Sequence, residues 1–264
     1  MIKQSISFVI LIILGMFFAN KISASTPPIS GTFIAFPWSK HVSYTLADWT
    51  KEFTDMQTIG IKTVIISAVY LEGYTPNPTA YYDTDIYESY QSSKLHLDTI
   101  MNLADQMNFT VYLGPVDIDK HYTTPQLNEK FILTSLAVAT ELHAKKYTDH
   151  PSFAGWYVQN EALLNWVDQT DYLDWSRLAN HYKSLTPNKK VLAAPYFIPP
   201  CAGNPTRVRC DYQWWPDKDP QQIATNAKAF LQKTNIDILA IQDGVGSNGV
   251  TLAELATYLP AMDQ

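Results

Sequence analysis

The sequence is short of charge. Asp, Glu, Lys and Arg make up 17% of its 264 residues, and the net charge is -6 at pH 7. That balance gives no electrostatic basis for holding nucleic acid or an anionic membrane surface. No Gly-x-Gly-x-x-Gly fingerprint follows the first strand and no phosphate-binding loop occurs, which argues against a dinucleotide or nucleotide enzyme. The six His show no metal-ligand spacing such as His-Glu-x-x-His, and no Ser stands in a Gly-x-Ser-x-Gly elbow. Metal-dependent and serine-hydrolase readings are weak, and no cofactor or metal is expected. Cysteine is scarce too: Cys201 and Cys210 are the two in the chain, and without nearby His or further Cys they make a poor zinc site. No low-complexity linker or internal boundary divides the sequence, and its length suits one large domain with a sizeable core.

The long apolar run that does occur lies at the N-terminus. Lys3 supplies a positive start, Ile6 to Phe18 is apolar apart from Ser7 and Gly15, and Ile22-Ser23-Ala24 offers a small-residue cleavage site. The run is shorter than the roughly 20 residues of a membrane-spanning helix. Residues 1–24 are therefore expected to be a cleaved signal peptide, with residues 25–264 as the exported domain, secreted or periplasmic and not held in a membrane. No Cys follows the run to take a lipid. In an oxidising compartment Cys201 and Cys210 are expected to pair across their short loop; two free buried thiols are the alternative.

After this segment one pattern recurs: a short apolar strand, a polar or aromatic loop, then an amphipathic helix. The predicted strands are Gly31 to Trp38, Thr63 to Tyr70, Phe109 to Val116, Phe153 to Gln159, Lys190 to Phe197 and Ile236 to Ile241. Thr45 with Asp48 reads as a capping box, followed by a helical face of Leu46, Trp49, Phe53 and Met56. Leu97, Ile100, Met101 and Ala104 mark a second helix, Pro125 to Tyr147 a third, and Thr170 to Leu185 a fourth. Asp219-Pro220 is a helix start of N-cap followed by Pro. The segment Leu71 to Ser93 is too long for a simple connector and is expected to be functional or to pack over the mouth. Alternation of this kind argues for parallel βα units. The fold class is α/β, a TIM-type (β/α) barrel with six units visible. A closed barrel needs eight, so the last two are expected either to be missing or to lie beyond Gln264.

In such a fold the chemistry sits at the C-terminal ends of the strands. Phe153 to Val158 carries no charge and ends in Asn160-Glu161, where a carboxylate beside an amide and among Trp and Tyr could donate a proton. Asp243, Asp117 and Glu72 each follow a strand end and are candidates for a second carboxylate. Asp243 is the best placed by motif, because Gln242-Asp243-Gly244 sets a polar group before a tight turn. A turn Asp bonding backbone amides is the plainer reading of the same residues. Aromatics are plentiful, with 7 Trp and 16 Tyr. Trp38, Tyr70, Tyr157, Tyr196, Trp214 and Trp215 are candidate sugar platforms, against core packing for the first four.

Several pieces together resemble a known family. They are Gly31-Thr32-Phe33, Gly155-Trp156-Tyr157-Val158-Gln159-Asn160-Glu161, Ala194-Pro195-Tyr196-Phe197 and Asp237-Ile238-Leu239-Ala240-Ile241-Gln242-Asp243-Gly244-Val245-Gly246. In order and strand placement they resemble the glycosidase-like TIM barrels of domain of unknown function 4434, from about Gly31 to the end of the chain. The resemblance implies a barrel of the glycosidase superfamily. Asn160-Glu161 is also similar to the Asn-Glu pair ending the fourth strand of many retaining glycoside hydrolases. That similarity implies Glu161 as general acid/base and Asn160 as the residue holding the sugar 2-hydroxyl. Those enzymes take their nucleophile from a seventh strand, and no seventh strand is visible here. The expected function is an exported glycoside hydrolase with paired carboxylates, Glu161 with Asp243, acting on an oligo- or polysaccharide. The alternative is a catalytically inactive carbohydrate-binding barrel.

Overall fold

A computed structural model describes residues 30–36, 40–74, 77–86, 91–92, 95–120, 124–160, 164, 169–197, 219–242 and 252–262. Six parallel strands form the main sheet: β1 (Gly31–Ile34), β2 (Thr63–Ile66), β6 (Thr110–Leu113), β8 (Phe153–Val158), β9 (Lys190–Ala193) and β10 (Ile238–Leu239). They lie in that order and curl into a half-barrel. The helices α1 (Leu46–Thr58), α2 (Leu95–Met107), α3 (Pro125–Ala144), α4 (Gln169–Leu185) and α5 (Pro220–Thr234) return the chain between successive strands of the sheet, and α6 (Leu252–Met262) follows.

Local chemistry sets several boundaries. Thr45 and Asp48 form the expected capping box, each side chain taking the other's backbone N–H. Asp219 caps α5 through the Gln222 amide, with Pro220 in the first turn. Trp49, Phe53 and Met56 turn inward as expected, but Leu46, in the first turn of α1, is 64% exposed. α3 is shorter than expected: it stops at Ala144, Lys146 takes a left-handed conformation, and Tyr147–Asp149 forms a 3-10 turn.

The main core lies between the sheet and its helices. On β8, Phe153, Trp156 and Val158 face outward into it, and Trp156 stacks on Tyr182 of α4. The opposite parity faces the hollow of the half-barrel, where Ile65, Tyr112, Tyr157, Leu192 and Ala194 pack together. A register shift between β6 and β8 seats Tyr112 opposite Gly155 and leaves Ala154 as an extra residue. This bulge keeps Tyr157 on the inner face.

The second and third predicted strands are each two strands. β2 ends at Ile66, and the chain resumes as β3 (Tyr70–Glu72); β6 ends at Leu113 and resumes as β7 (Val116–Ile118). β3 and β7 pair in parallel and join β4 (Thr79–Ala80) and β5 (Gln91–Ser92) in a separate four-stranded sheet, a shelf above the main one. The two breaks lie against each other. Gly114 accepts a hydrogen bond from the Val69 amide and donates to Ile66, and a Cβ on Gly114 would stand 2.0 Å from the Ser67 carbonyl oxygen. Pro115 follows, with no N–H to continue the ladder.

The segment after β3 is folded rather than a plain lid. Tyr81 stacks on Phe36 with ring centroids 4.0 Å apart. Residues 82–85 then reach the last turns of α3, the end opposite the strand exits. There Glu141 accepts from the Tyr82 hydroxyl (2.6 Å), the Thr84 hydroxyl (2.6 Å) and the Asp85 amide. Burial first, and the Glu141 carboxylate second, push the Tyr82 phenol far above its ordinary range, so it stays a donor.

Two carboxylates tie the sheet ends. Asp105 of α2 accepts from His150 (2.6 Å) and the Ser152 amide (2.8 Å). Asp237, ahead of β10, accepts from the Val191 amide (2.9 Å) and Lys183 (3.1 Å), with Lys190 at 3.6 Å. Burial raises both carboxyls, but the donors outweigh it and hold them below the ordinary Asp value. A depressed folded pKa contributes stability that is present above the unfolded value and lost as pH falls through the folded one. The fold is therefore expected to lose stability progressively below about pH 4. Urea unfolding midpoints across that range should fall less steeply in Asp237→Asn than in the wild type. Equal slopes would show that Asp237 does not contribute.

Candidate functional site

The shelf decides which strand-end carboxylates look inward. In the β3–β7 pair, Leu71 stands opposite Asp117 and Glu72 opposite Ile118. Neighbours across a ladder share a face and alternate along it. Asp117 is thus on one face and Glu72 on the other, the side covered by α3. Lys130 of α3 takes the Glu72 carboxylate in an ion pair. Glu72 and Asp117, both candidates for the second carboxylate, therefore lie on opposite faces of the shelf.

Asp117 is 8% exposed. Its Oδ2 accepts a hydrogen bond from the Tyr74 hydroxyl at 2.8 Å and a long one from Gln159 Nε2 at 3.5 Å. Gln159 and the half-buried Asn160 leave β8 directly after Val158. The alternation that turns Tyr157 inward, carried two residues on, brings Gln159 to the same face. The exits of β3, β7 and β8 thus meet at Tyr74, Asp117 and Gln159. The Gln159 Oε1 is shielded from solvent and has no hydrogen-bond partner among the described residues.

The aromatic candidates divide. Tyr70 is fully buried within the main core and presents no ring face to a ligand. Tyr157 is 4% exposed, and its ring meets that of Phe33 edge-on at 5.4 Å. Both were possible platforms; Tyr70 packs in the core behind its strand, and Tyr157 packs within the hollow against Phe33 and its inner-face neighbours. Tyr196 is half-buried and forms a parallel bridge with Gln242 beyond β9 and β10. Gln242 Nε2 donates to the Ala194 carbonyl at 2.7 Å, tying the two strand exits together. Trp38, Glu161, Trp214, Trp215, Asp243, Cys201 and Cys210 lie outside the described residues. Among the described residues no group of three or more His, Cys, Asp or Glu could hold a metal ion, and no helix is long and apolar enough to cross a membrane.

Sequence reasoning passed over Tyr74 and Gln159. The signal for Gln159 was its parity with Tyr157, two residues away on one strand. For Tyr74 there was none, since five Tyr crowd the segment after Glu72.

The family described as Domain of unknown function (DUF4434) matches residues 29–264. The chain belongs to this family. As a DUF4434 chain it shares its fold with a solved structure described as a "putative alpha-L-fucosidase" from Bacteroides thetaiotaomicron. That match has a TM-score of 0.70 at 20% identity and covers 89% of this chain and 70% of the other. An endo-1,4-beta-mannanase from Rhizomucor miehei overlaps at a TM-score of 0.46 and 13% identity, over 80% of this chain and 76% of its own. No curated protein matches the chain. The first likeness, at its level of identity, is one of fold: this DUF4434 chain is a half-barrel of parallel strands and alternating helices.

Proposed function

We propose that this protein is an exported glycoside hydrolase, with Glu161 as general acid/base and Asn160 holding a sugar hydroxyl beside it. The observation that carries the reading is the place of Gln159 and Asn160. They leave the C-terminal end of the fourth parallel strand, beside the inward-facing Asp117. A (β/α) barrel collects its chemistry at that end. Glycoside cleavage needs a proton donor for the leaving oxygen and a second carboxylate to act as nucleophile or to activate water. Glu161 supplies the first, and Asp243 is the second by motif. Asp117 is a further carboxylate at the mouth, and its neighbours Tyr74 and Gln159 suit it to binding. The substrate is an oligo- or polysaccharide. The test is hydrolysis of a panel of aryl glycosides and polysaccharides by the wild type and by Glu161→Gln.

A carbohydrate-binding barrel without catalysis is the second reading. It is favoured by Glu72, one of the candidate second carboxylates, being turned to Lys130. Wild-type protein that binds sugars and cleaves none of the panel would establish it.

Export entails cleavage after residue 24 and a Cys201–Cys210 disulfide. The loop they flank is short, and closing it would contribute roughly 2–3 kcal/mol in the chain-entropy account. Mass spectrometry of the non-reduced exported protein should find it two hydrogens lighter than the reduced form. Two free thiols in exported material would sink the pairing.

A further inference from the structure

We infer that His96 is an acid-sensitive catch. Its neutral imidazole holds α1 and the segment after β3 against the start of α2, and taking up a proton releases them. The inference stands on packing alone and is independent of what the mouth binds.

The chemistry of one hydrogen bond carries it. The Trp49 indole Nε1–H donates to His96 Nδ1 at 2.9 Å. An indole N–H can only donate, so Nδ1 holds a lone pair and the imidazole proton is on Nε2. Nε2 carries a proton in the neutral and the charged ring alike, so its role does not change with pH. Nδ1 does change. Once protonated it is a donor, and it faces another donor. Both side chains are buried, Trp49 at 1% and His96 at 5% exposure, so burial also opposes the charge. His96 lies in the first turn of α2, where the unpaired N–H groups already carry partial positive charge. The rings of Phe36 and Tyr81, each 5.9 Å away by centroid, attract a charged imidazole, but less than the lost bond and the burial oppose it.

Three elements meet at this ring. Phe36 stands at the exit of β1, Trp49 belongs to α1, and Tyr81 belongs to the segment after β3. The Tyr81 amide donates to the Val69 carbonyl at 2.9 Å, and the Leu97 amide, next to His96, donates to the Tyr81 carbonyl at 3.0 Å. The other titratable groups nearby respond differently. Burial pushes the Tyr81 phenol up, so it stays uncharged. His41 stacks on Trp49 at 5.2 Å, an arrangement that favours its charged form. Tyr44 donates to Glu52 at 3.1 Å, and Asp98, two residues along α2, accepts from Tyr147 at 2.6 Å. An opened His96 takes a proton near pH 6.5, and the closed form resists it. An opened state that binds one proton more than the closed state gains population about tenfold for each pH unit below that value. The contribution of the catch is therefore complete above about pH 6.5 and lost as the pH falls, well before Asp105 and Asp237 lose theirs.

The test is amide hydrogen exchange of the intact protein, read by NMR between about pH 7.5 and 4.5, together with nitrogen spectra of the histidine side chains. At the upper end of that range His96 should show an unprotonated Nδ1. After correction for intrinsic exchange, protection of the Leu97 amide should hold constant down to about pH 6.5 and then fall roughly tenfold per unit. His96→Asn puts an amide oxygen where Nδ1 accepts and has no proton to gain. Its Leu97 protection should be independent of pH over the same range, which a histidine serving only to fill space would not predict. Three results would overturn the catch: a proton on Nδ1 at the upper end of the range, a wild-type Leu97 profile that stays flat, or a His96→Asn profile that falls like the wild type. The first two are read on the wild type alone, so the inference stays decidable even where the variant fails to fold.

Discussion

Glu161→Gln should abolish glycoside cleavage while sugar binding and thermal stability stay close to wild type. Gln matches Glu in size and can hydrogen-bond the leaving oxygen, but it has no proton to deliver. General acid catalysis contributes roughly 10²–10⁴-fold, so the loss should be of that order. The role also demands that the acid hold its proton when substrate arrives, which places its pKa above the free Glu value of about 4.3. The surroundings in sequence are suited to this. No Lys or Arg stands within about ten residues on either side, and the strand leading to it is apolar, with Trp156 and Tyr157 buried. The alkaline limb of the wild-type kcat/KM profile should report that group, and activated aryl glycosides, which need less acid help, should be the least affected by the substitution. Wild-type activity that survives Glu161→Gln undiminished would rule the residue out.

The second large effect is structural. Gly155→Ala should destabilise the fold by at least about 3 kcal/mol, near the upper end for overpacking. Gly155 lies on β8, opposite Lys190 of β9 and beside the bulge. A Cβ there would stand 1.9 Å from the Lys190 carbonyl oxygen, and 2.8 Å from its carbon. Neither atom belongs to a side chain that could swing aside, so the two strands must separate. Their separation also disturbs Trp156 and Tyr157, which follow directly and pack on opposite faces of the sheet. For a domain of this size the change corresponds to a fall in Tm of roughly 6–12 °C. Thermal unfolding followed by circular dichroism measures it, and a Tm equal to wild type would show that the strands give way without cost.

Much of the architecture was legible before the structure. Hydrophobic spacing marked α2, whose expected inward residues are all buried, and α4, where Tyr172, Trp175, Leu178, Ala179 and Tyr182 recur at helical spacing and are buried. Side-chain capping marked the starts of α1 and α5. What the sequence could not show was where strands break. Thr63 to Tyr70 and Phe109 to Val116 read as single strands because their residues are mostly apolar or β-branched and none is charged, and that character does not mark where a strand leaves one sheet for another. Pro115 was the one local cue. The same limit hid the direction of Glu72. Its position after a strand placed it at the mouth, but which face it takes depends on register against β7, a property of two segments 46 residues apart (Glu72 against Ile118). Tyr70 and Tyr157 show a related ambiguity, since an aromatic ring suits a sugar or a core equally well. Parity along β8 was the exception: it was readable from residue numbers alone, and it points to Gln159.

The shelf also bears on how such a protein could diversify. Asp117 and Tyr74 belong to a small sheet that meets the main one through two narrow breaks, and the segment between β3 and β5 is anchored on the outer wall by Glu141. Insertions or exchanges in that segment can reshape the rim of the mouth without touching the ladder from β1 to β10. The layer proposed to meet a substrate is thus distinct from the layer that folds the domain, and mutation can explore the first with little risk to the second.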